Sequence, residues 1–300
     1  MKIFLLYFLV PILFSIKSIG QDVSHSFVCT DYTQGKVFIL NQDKKIIWEY
    51  PATHCNDVWM LPNGNLLFNT GNGVKEVNRD KEVVWEYNSV SDIYACQRLP
   101  NGNTFIGECS AGRLIEVDPK GKIVKAIKLL PDSSKANSAF MRNARKLPSG
   151  HYLVAHYGLD KVCEYDTSGN LVWQLPVKGG PHSVVRLPNG NTLVACSDHN
   201  GDPGIAEYNS EKQIVWQVKK DELPNIGLKF VTGFQRLPNG NTVITNWLGH
   251  NQFGKAPHAI EITPEKKVVW TYNEHNQIKT MSSIQLLDVK GDVTKWEIIH

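Results

Sequence analysis

Leu187-Pro188-Asn189-Gly190-Asn191-Thr192-Leu193-Val194-Ala195 is a tight turn followed by an apolar run, and the chain repeats it. The same Leu-Pro-Asn-Gly-Asn string begins at Leu61, Leu99 and Leu237, and a Leu-Pro-Ser-Gly-His version begins at Leu147. A second phrase alternates with it: two apolar residues and then tryptophan, at Trp48, Trp85, Trp173, Trp216 and Trp270. A period of roughly 40 to 50 residues made only of short strands is the mark of propeller blades.

Each unit reads as four antiparallel strands. In the unit that starts near His182, strand A is expected over 183–187, strand B over 192–196, strand C over 205–208 and strand D over 213–218. The Asn189-Gly190 pair is expected to turn with positive backbone angles, as such pairs do in two-residue hairpins. Counting D strands gives six, the five with tryptophan plus 122–127, where Lys125 stands in its place. The chain opens at a B strand, 26–30, with no A strand before it, and an unassigned A strand lies at 282–287. The fold class is therefore all-β: a six-bladed propeller closed by a C-terminal strand that completes the N-terminal blade, with 293–299 adding to that same blade. Closure of this kind leaves few open strand edges.

Residues 1–20 read as a leader rather than as fold. Lys2, the apolar stretch 3–16 and the small residues Ser18-Ile19-Gly20 match an export signal cleaved before Gln21, leaving a propeller over 21–300 in a secreted or periplasmic setting. The apolar stretch is short for a membrane span, and no cysteine follows it to carry a lipid. With Lys2 and Lys17 removed, 30 basic side chains face 29 acidic ones, scattered along the chain. Neither nucleic acid nor membrane insertion is expected from that balance. Six cysteines in an oxidising compartment leave fifteen possible pairings. Cys96 and Cys163, which replace core aliphatics of other repeats, are expected to be core residues without a nucleophilic role.

Residues required by every blade serve the blade. The five tryptophans are expected between neighbouring blades, and Glu76, Glu116, Glu164, Glu207 and Glu261, one register of strand C, are expected to be structural. Residues that differ between blades point to function. Five positions before the leucine of strand A stand Asn56, Tyr94, Arg142, His182, Thr232 and Met281, on the face where D–A and B–C connections meet the central funnel. Nine positions after that leucine stand Thr70, Glu108, His156, Cys196 and Asn246. The B–C connection lengthens toward the last blade, where it carries Trp247, His250, Phe253 and His258. Long loops with aromatic and imidazole groups on one rim are where binding specificity concentrates.

The repeat vocabulary resembles that of the secreted bacterial propellers of the pyrroloquinoline-quinone-repeat (quinoprotein-like) superfamily. Its blades are most similar to the arylsulfotransferase-like group. That resemblance implies the propeller fold over residues 25 to 290 and leaves the activity open, since the superfamily includes dehydrogenases, assembly scaffolds and ligand-binding proteins. A quinone cofactor is not expected, because the vicinal cysteines and acidic calcium ligands of the quinoprotein dehydrogenases are missing, and no paired spacing of ligands suggests a metal.

Three chemistries fit the variable residues. The first is recognition of a polar small molecule or glycan, carbohydrate or otherwise anionic, with Arg142 holding a carboxylate or sulfate. Tyr94 and Trp247 would cover a sugar face, with Asn56, Asn246, Thr232, Glu108 and His250 as further binding groups. The second is acid/base catalysis of the kind used by propeller lyases and hydrolases, by His54, His156 or His182 with Tyr94 as proton donor. The third is sulfuryl transfer through a histidine, as the arylsulfotransferase-like resemblance implies for His54 or His182. A protein-interaction platform in the envelope is the remaining class.

Overall fold

The computed structural model describes residues 23–300, so the expected leader at 1–20 lies outside the described residues. Six four-stranded antiparallel sheets stand around a central axis. Neighbouring A strands touch around the ring's inner wall at five of the six blade junctions, and at the junction of the second and third blades the third blade's A strand packs on strand B of the second. The closing strand Ile284–Leu286 pairs with Phe27–Asp31, in register Phe27 with Leu286 and Cys29 with Ile284. Chain end and chain start thus share one blade. Among the described residues, no helix is long and apolar enough to cross a membrane.

The Leu-Pro-Asn-Gly-Asn turn differs from the expected one. Only its glycine has positive φ, +83° at Gly64 and +87° at Gly190, and Asn189 does not. Gly190 N–H donates to the Leu187 carbonyl (2.9 Å), and Leu187 N–H donates to the Asn191 carbonyl (2.8 Å). This is a type I turn with proline at its second position, closed by a left-handed glycine bulge. The Asn189 carboxamide accepts from Asn191 N–H at 3.0 Å, which explains asparagine at that place.

The last asparagine of the motif holds the strand C glutamate. Asn65, Asn191 and Asn241 donate to Glu76, Glu207 and Glu261 at 2.6, 2.7 and 2.7 Å. The other oxygen of each glutamate faces the next blade. Glu76, Glu164 and Glu207 pair with Arg98, Arg186 and Arg236, the residues that precede the next motif leucine. In the first blade Ile39 takes the glutamate's place, opposite Trp48, and Met60 takes the arginine's place in the second; both lie in one apolar cluster. The pair is lost on both sides together.

The tryptophans close the same seams. Trp48, Trp85 and Trp216 donate to carbonyls of Arg79, Asp118 and Pro264, each in the next blade's C–D turn. Trp48, Trp85 and Trp270 are buried, whereas Trp173 and Trp216 are half-buried. Where Lys125 replaces tryptophan, Tyr152 of the next blade fills the space under its ammonium, 5.5 Å from the ring centroid.

No cysteine is paired, and one expectation changes. All six cysteines are buried free thiols on separate strands and loops. Burial pushes the thiols of Cys29, Cys55 and Cys96 well up and that of Cys109 to about 12, which favours the protonated thiol in each. The tail does not extend the first blade. After a turn capped by Asp292, Ile299 bridges to Arg236 of the sixth blade, because the open edge near it is that blade's inner strand. His300 then lies against Trp59, ring centroids 4.5 Å apart.

Candidate functional site

The D–A and B–C connections enclose a funnel cavity of about 260 Å³. Ligand pockets run from roughly 300 Å³ upward, so this one suits a small molecule. Its wall is a belt of rings. Tyr157 meets His182 edge-on at 6.3 Å, His182 meets Phe230 at 5.7 Å, Phe230 meets Trp247 at 5.0 Å and Trp247 meets His250 at 4.8 Å. Tyr32 continues the belt from Trp247 at 6.0 Å.

Arg142 completes the belt. Its guanidinium lies between the rings of Tyr94 and Tyr157, 4.3 and 4.7 Å from their centroids. Nη1 donates to the carbonyls of Ser138 (2.7 Å) and Met141 (3.3 Å). Nε and Nη2 make no hydrogen bond among the described residues, and that edge is the one that grips a carboxylate or sulfate with two parallel bonds. No carboxylate lines the cavity.

The loop that presents Arg142 is anchored from beneath. His156, fully buried, donates from Nδ1 to the Phe140 carbonyl (3.2 Å), while its Nε2 meets the Tyr165 hydroxyl at 2.7 Å. Tyr165 also meets Asp132 at 2.9 Å, and the Lys161 ammonium bonds both Asp132 oxygens at 2.9 and 2.8 Å. Cys109 Sγ accepts from Met141 N–H at 3.3 Å. Asp132, His156 and Cys163 bring ligand atoms within 4.8 Å of one another. The ammonium already sits where a cation's charge would act, so the cluster reads as a hydrogen-bonded brace rather than a metal cage. Burial pulls His156 down to about 4, which keeps the imidazole neutral.

His182 is the ionisable side chain most altered by the funnel. Burial, with the Arg142 charge added, pulls it down to about 3. Its Nδ1 donates to the Thr232 carbonyl at 3.2 Å, Nε2 has no hydrogen-bond partner among the described residues, and the side chain lines the cavity. Burial raises Tyr94 above the ordinary phenol range, with Arg142 opposing, so its hydroxyl stays protonated.

Of the residues singled out in the sequence, Asn56, Tyr94, Arg142, His182, Thr232, Trp247 and His250 meet at this cavity. The others lie elsewhere. His54 is exposed, with φ +54°, and stacks on Tyr32 at 5.4 Å without lining the cavity. His156 points into the core. Glu108 is buried in an ion pair with Arg113 and bonds Ser89 at 2.5 Å. Asn246 is buried, and its carbonyl oxygen accepts from Lys229 N–H (2.9 Å) and Phe230 N–H (3.2 Å), setting Phe230 in place. Met281 is core; the cavity takes its neighbour Ser282. Sequence reading also missed Tyr32, Tyr157 and Phe230. Tyr157 and Ser282 each sit one residue from a position it named, and in a pleated strand one residue is the difference between core and cavity.

No protein-family model and no curated protein matches this sequence. Solved structures with the same fold do. A Bacteroides caccae protein of unknown function is 29% identical, covers 90% of this chain and 100% of its own, and superposes with a TM-score of 0.77. Virginiamycin B lyase from Staphylococcus aureus is 16% identical over 85% of this chain and 86% of its own, with a TM-score of 0.56. The dihydro-heme d1 dehydrogenase NirN is 14% identical over 83% of this chain and 63% of its own, with a TM-score of 0.51. The last two are likenesses of fold alone.

Proposed function

We propose that the funnel binds a small ligand that carries a carboxylate or sulfate on a ring with a flat face. The observation that supports this most is the Arg142 guanidinium. It is stacked between Tyr94 and Tyr157, anchored through Nη1 only, with its two-point edge unused and no acidic side chain lining the cavity. A cation kept without a protein counter-ion is suited to an anion brought by the ligand. Trp247 and Phe230 supply faces for a ring, and the cavity's size favours one or two rings over a polymer chain. Read together with the leader at 1–20, this is a secreted or periplasmic binding propeller for an anionic carbohydrate or a similar ring acid. Calorimetry with uronic acids, sugar sulfates, aryl acids and their neutral counterparts tests it. Anionic ligands should bind at least about tenfold tighter than neutral ones, and Arg142→Ala should remove that margin. Equal affinity for neutral and anionic partners would dismiss the reading.

A second reading has one observation in its favour. The neutral His182 presents an unshared pair on Nε2 beside Arg142, which is what sulfuryl transfer from an aryl sulfate through a histidine requires. Attack by Nε2 on sulfur would release the phenolate, and the acceptor hydroxyl would later take the sulfuryl group. Phenol release from aryl sulfates, lost in His182→Ala, would favour it over binding alone. Neither virginiamycin B lyase nor NirN argues for any particular chemistry here.

A further inference from the structure

We infer that His182 is a fixed hydrogen-bond acceptor of the funnel, so that its ligand carries a hydroxyl or N–H next to the anion: a hydroxylated acid of the sugar-acid class. This rests on the reading of Arg142 as the anion site and specifies which anions it accepts. The direction of the His182 bond follows from its partner. A carbonyl can only accept, so the Nδ1 that meets the Thr232 carbonyl at 3.2 Å carries the proton. Nε2 then holds a lone pair with no hydrogen-bond partner among the described residues, on a side chain that lines the cavity. Burial beside Arg142 keeps the ring from taking a second proton and becoming a donor.

The two small hydroxyls of the funnel, Ser282 and Thr232, have spent donors as well. Ser282 Oγ lies 3.0 Å from the Cys55 carbonyl and donates to it. Thr232 Oγ1 shares its proton with Thr245 (2.8 Å) or the Met281 carbonyl (3.3 Å), whereas Asn56 donates one amide hydrogen to the His54 carbonyl at 3.0 Å and keeps its second. What the two hydroxyls have left for a ligand is mainly lone pairs. Arg142 and His182 flank the same ring, Tyr157, from adjacent blades, so one ligand meets both. A plain aryl acid would satisfy Arg142 and leave the His182 lone pair dry and unbonded. A hydroxy acid satisfies both.

The test is binding of the common hexuronates, of tetrahydropyran-2-carboxylate and of glucose to the full chain. The pyran acid keeps ring and carboxylate but has no hydroxyl. At least one hexuronate should bind about 10- to 100-fold tighter than the pyran acid. His182→Phe should erase that preference while retaining binding of the pyran acid, and His182→Gln, whose amide oxygen accepts, should restore part of it. Equal binding of the hexuronates and the pyran acid by the parent protein overturns the acceptor role and leaves the Arg142 reading standing. Binding of glucose as tight as any hexuronate, or no binding of any acid, overturns the Arg142 reading and this inference with it.

Discussion

The guanidinium of Arg145, in the fourth blade, is gripped by both oxygens of Asp57, in the second, at 2.8 and 3.0 Å, with both side chains buried. Asp57 also accepts from Cys96 N–H of the third blade at 3.0 Å. Three inner strands are therefore tied by one carboxylate. Removing one partner of a buried pair leaves the other uncompensated. Asp57→Ala should cost about 3 to 5 kcal/mol in urea unfolding. A loss under about 1 kcal/mol would mean the pair is not buried in solution.

His25 joins Glu261 (2.9 Å) and Asp288 (2.8 Å), linking the chain start to the sixth blade and to the residues after the closing strand. Burial lowers its pKa, but the two carboxylates outweigh burial and hold it above the ordinary value. A raised folded pKa contributes stability that is complete below the unfolded value, about 6.5, and is lost as pH rises through the folded one. The stability difference between the parent and His25→Gln should therefore shrink from about pH 6 upward. A difference that grows with pH would contradict the latch.

Tryptophans of equal motif rank should not be equal in energy. Trp48→Ala, at a buried site, should cost about 3 to 5 kcal/mol. Trp216→Ala, half-buried, should cost less, about 1 to 3 kcal/mol, although it also loses its bond to the Pro264 carbonyl. The reverse order in denaturant midpoints would show that seam packing is not what these residues contribute.

The brace beneath Arg142 can be loosened without touching the cavity. Tyr165→Phe removes the hydroxyl between His156 and Asp132. Affinity for a bound acid should fall about 2- to 10-fold with the preference for hydroxylated acids kept, since His182 is not involved. Loss of that preference alone would place Tyr165 in another role.

Because His182 titrates at about 3, the preference for hydroxylated over plain acids should stay flat between about pH 5 and pH 8. A preference that falls away as pH drops through the ordinary imidazole range, about 6.5, would show that the ring protonates there and becomes a donor.

Much of the site was legible because repetition separates scaffold from function. One slot holds Asn56, Tyr94, Arg142, His182, Thr232 and Met281 in successive repeats, and the first five line the cavity while Met281 packs in the core. The neighbouring slot failed at Glu108, His156 and Asn246, which face inward to brace the loops. Their chemistry looks the same as that of the lining residues in the sequence. Only the side of the strand differs, and bulges in the inner strands, as between Pro181 and Ser183, shift that side locally.

The sequence by itself determined the ring: blade count, closure by the strand Ile284–Leu286, the turn glycines and the structural rank of the glutamates all follow from periodicity, which is a local and repeated signal. The tertiary structure alone decided which proton each group holds and which neighbour it meets. The Asp57–Arg145 bridge, the Tyr94–Arg142–Tyr157 stack and the neutral His182 join residues from different blades, 88 positions apart in the first case. Burial and charge at such contacts depend on distances through space that no spacing along the chain encodes.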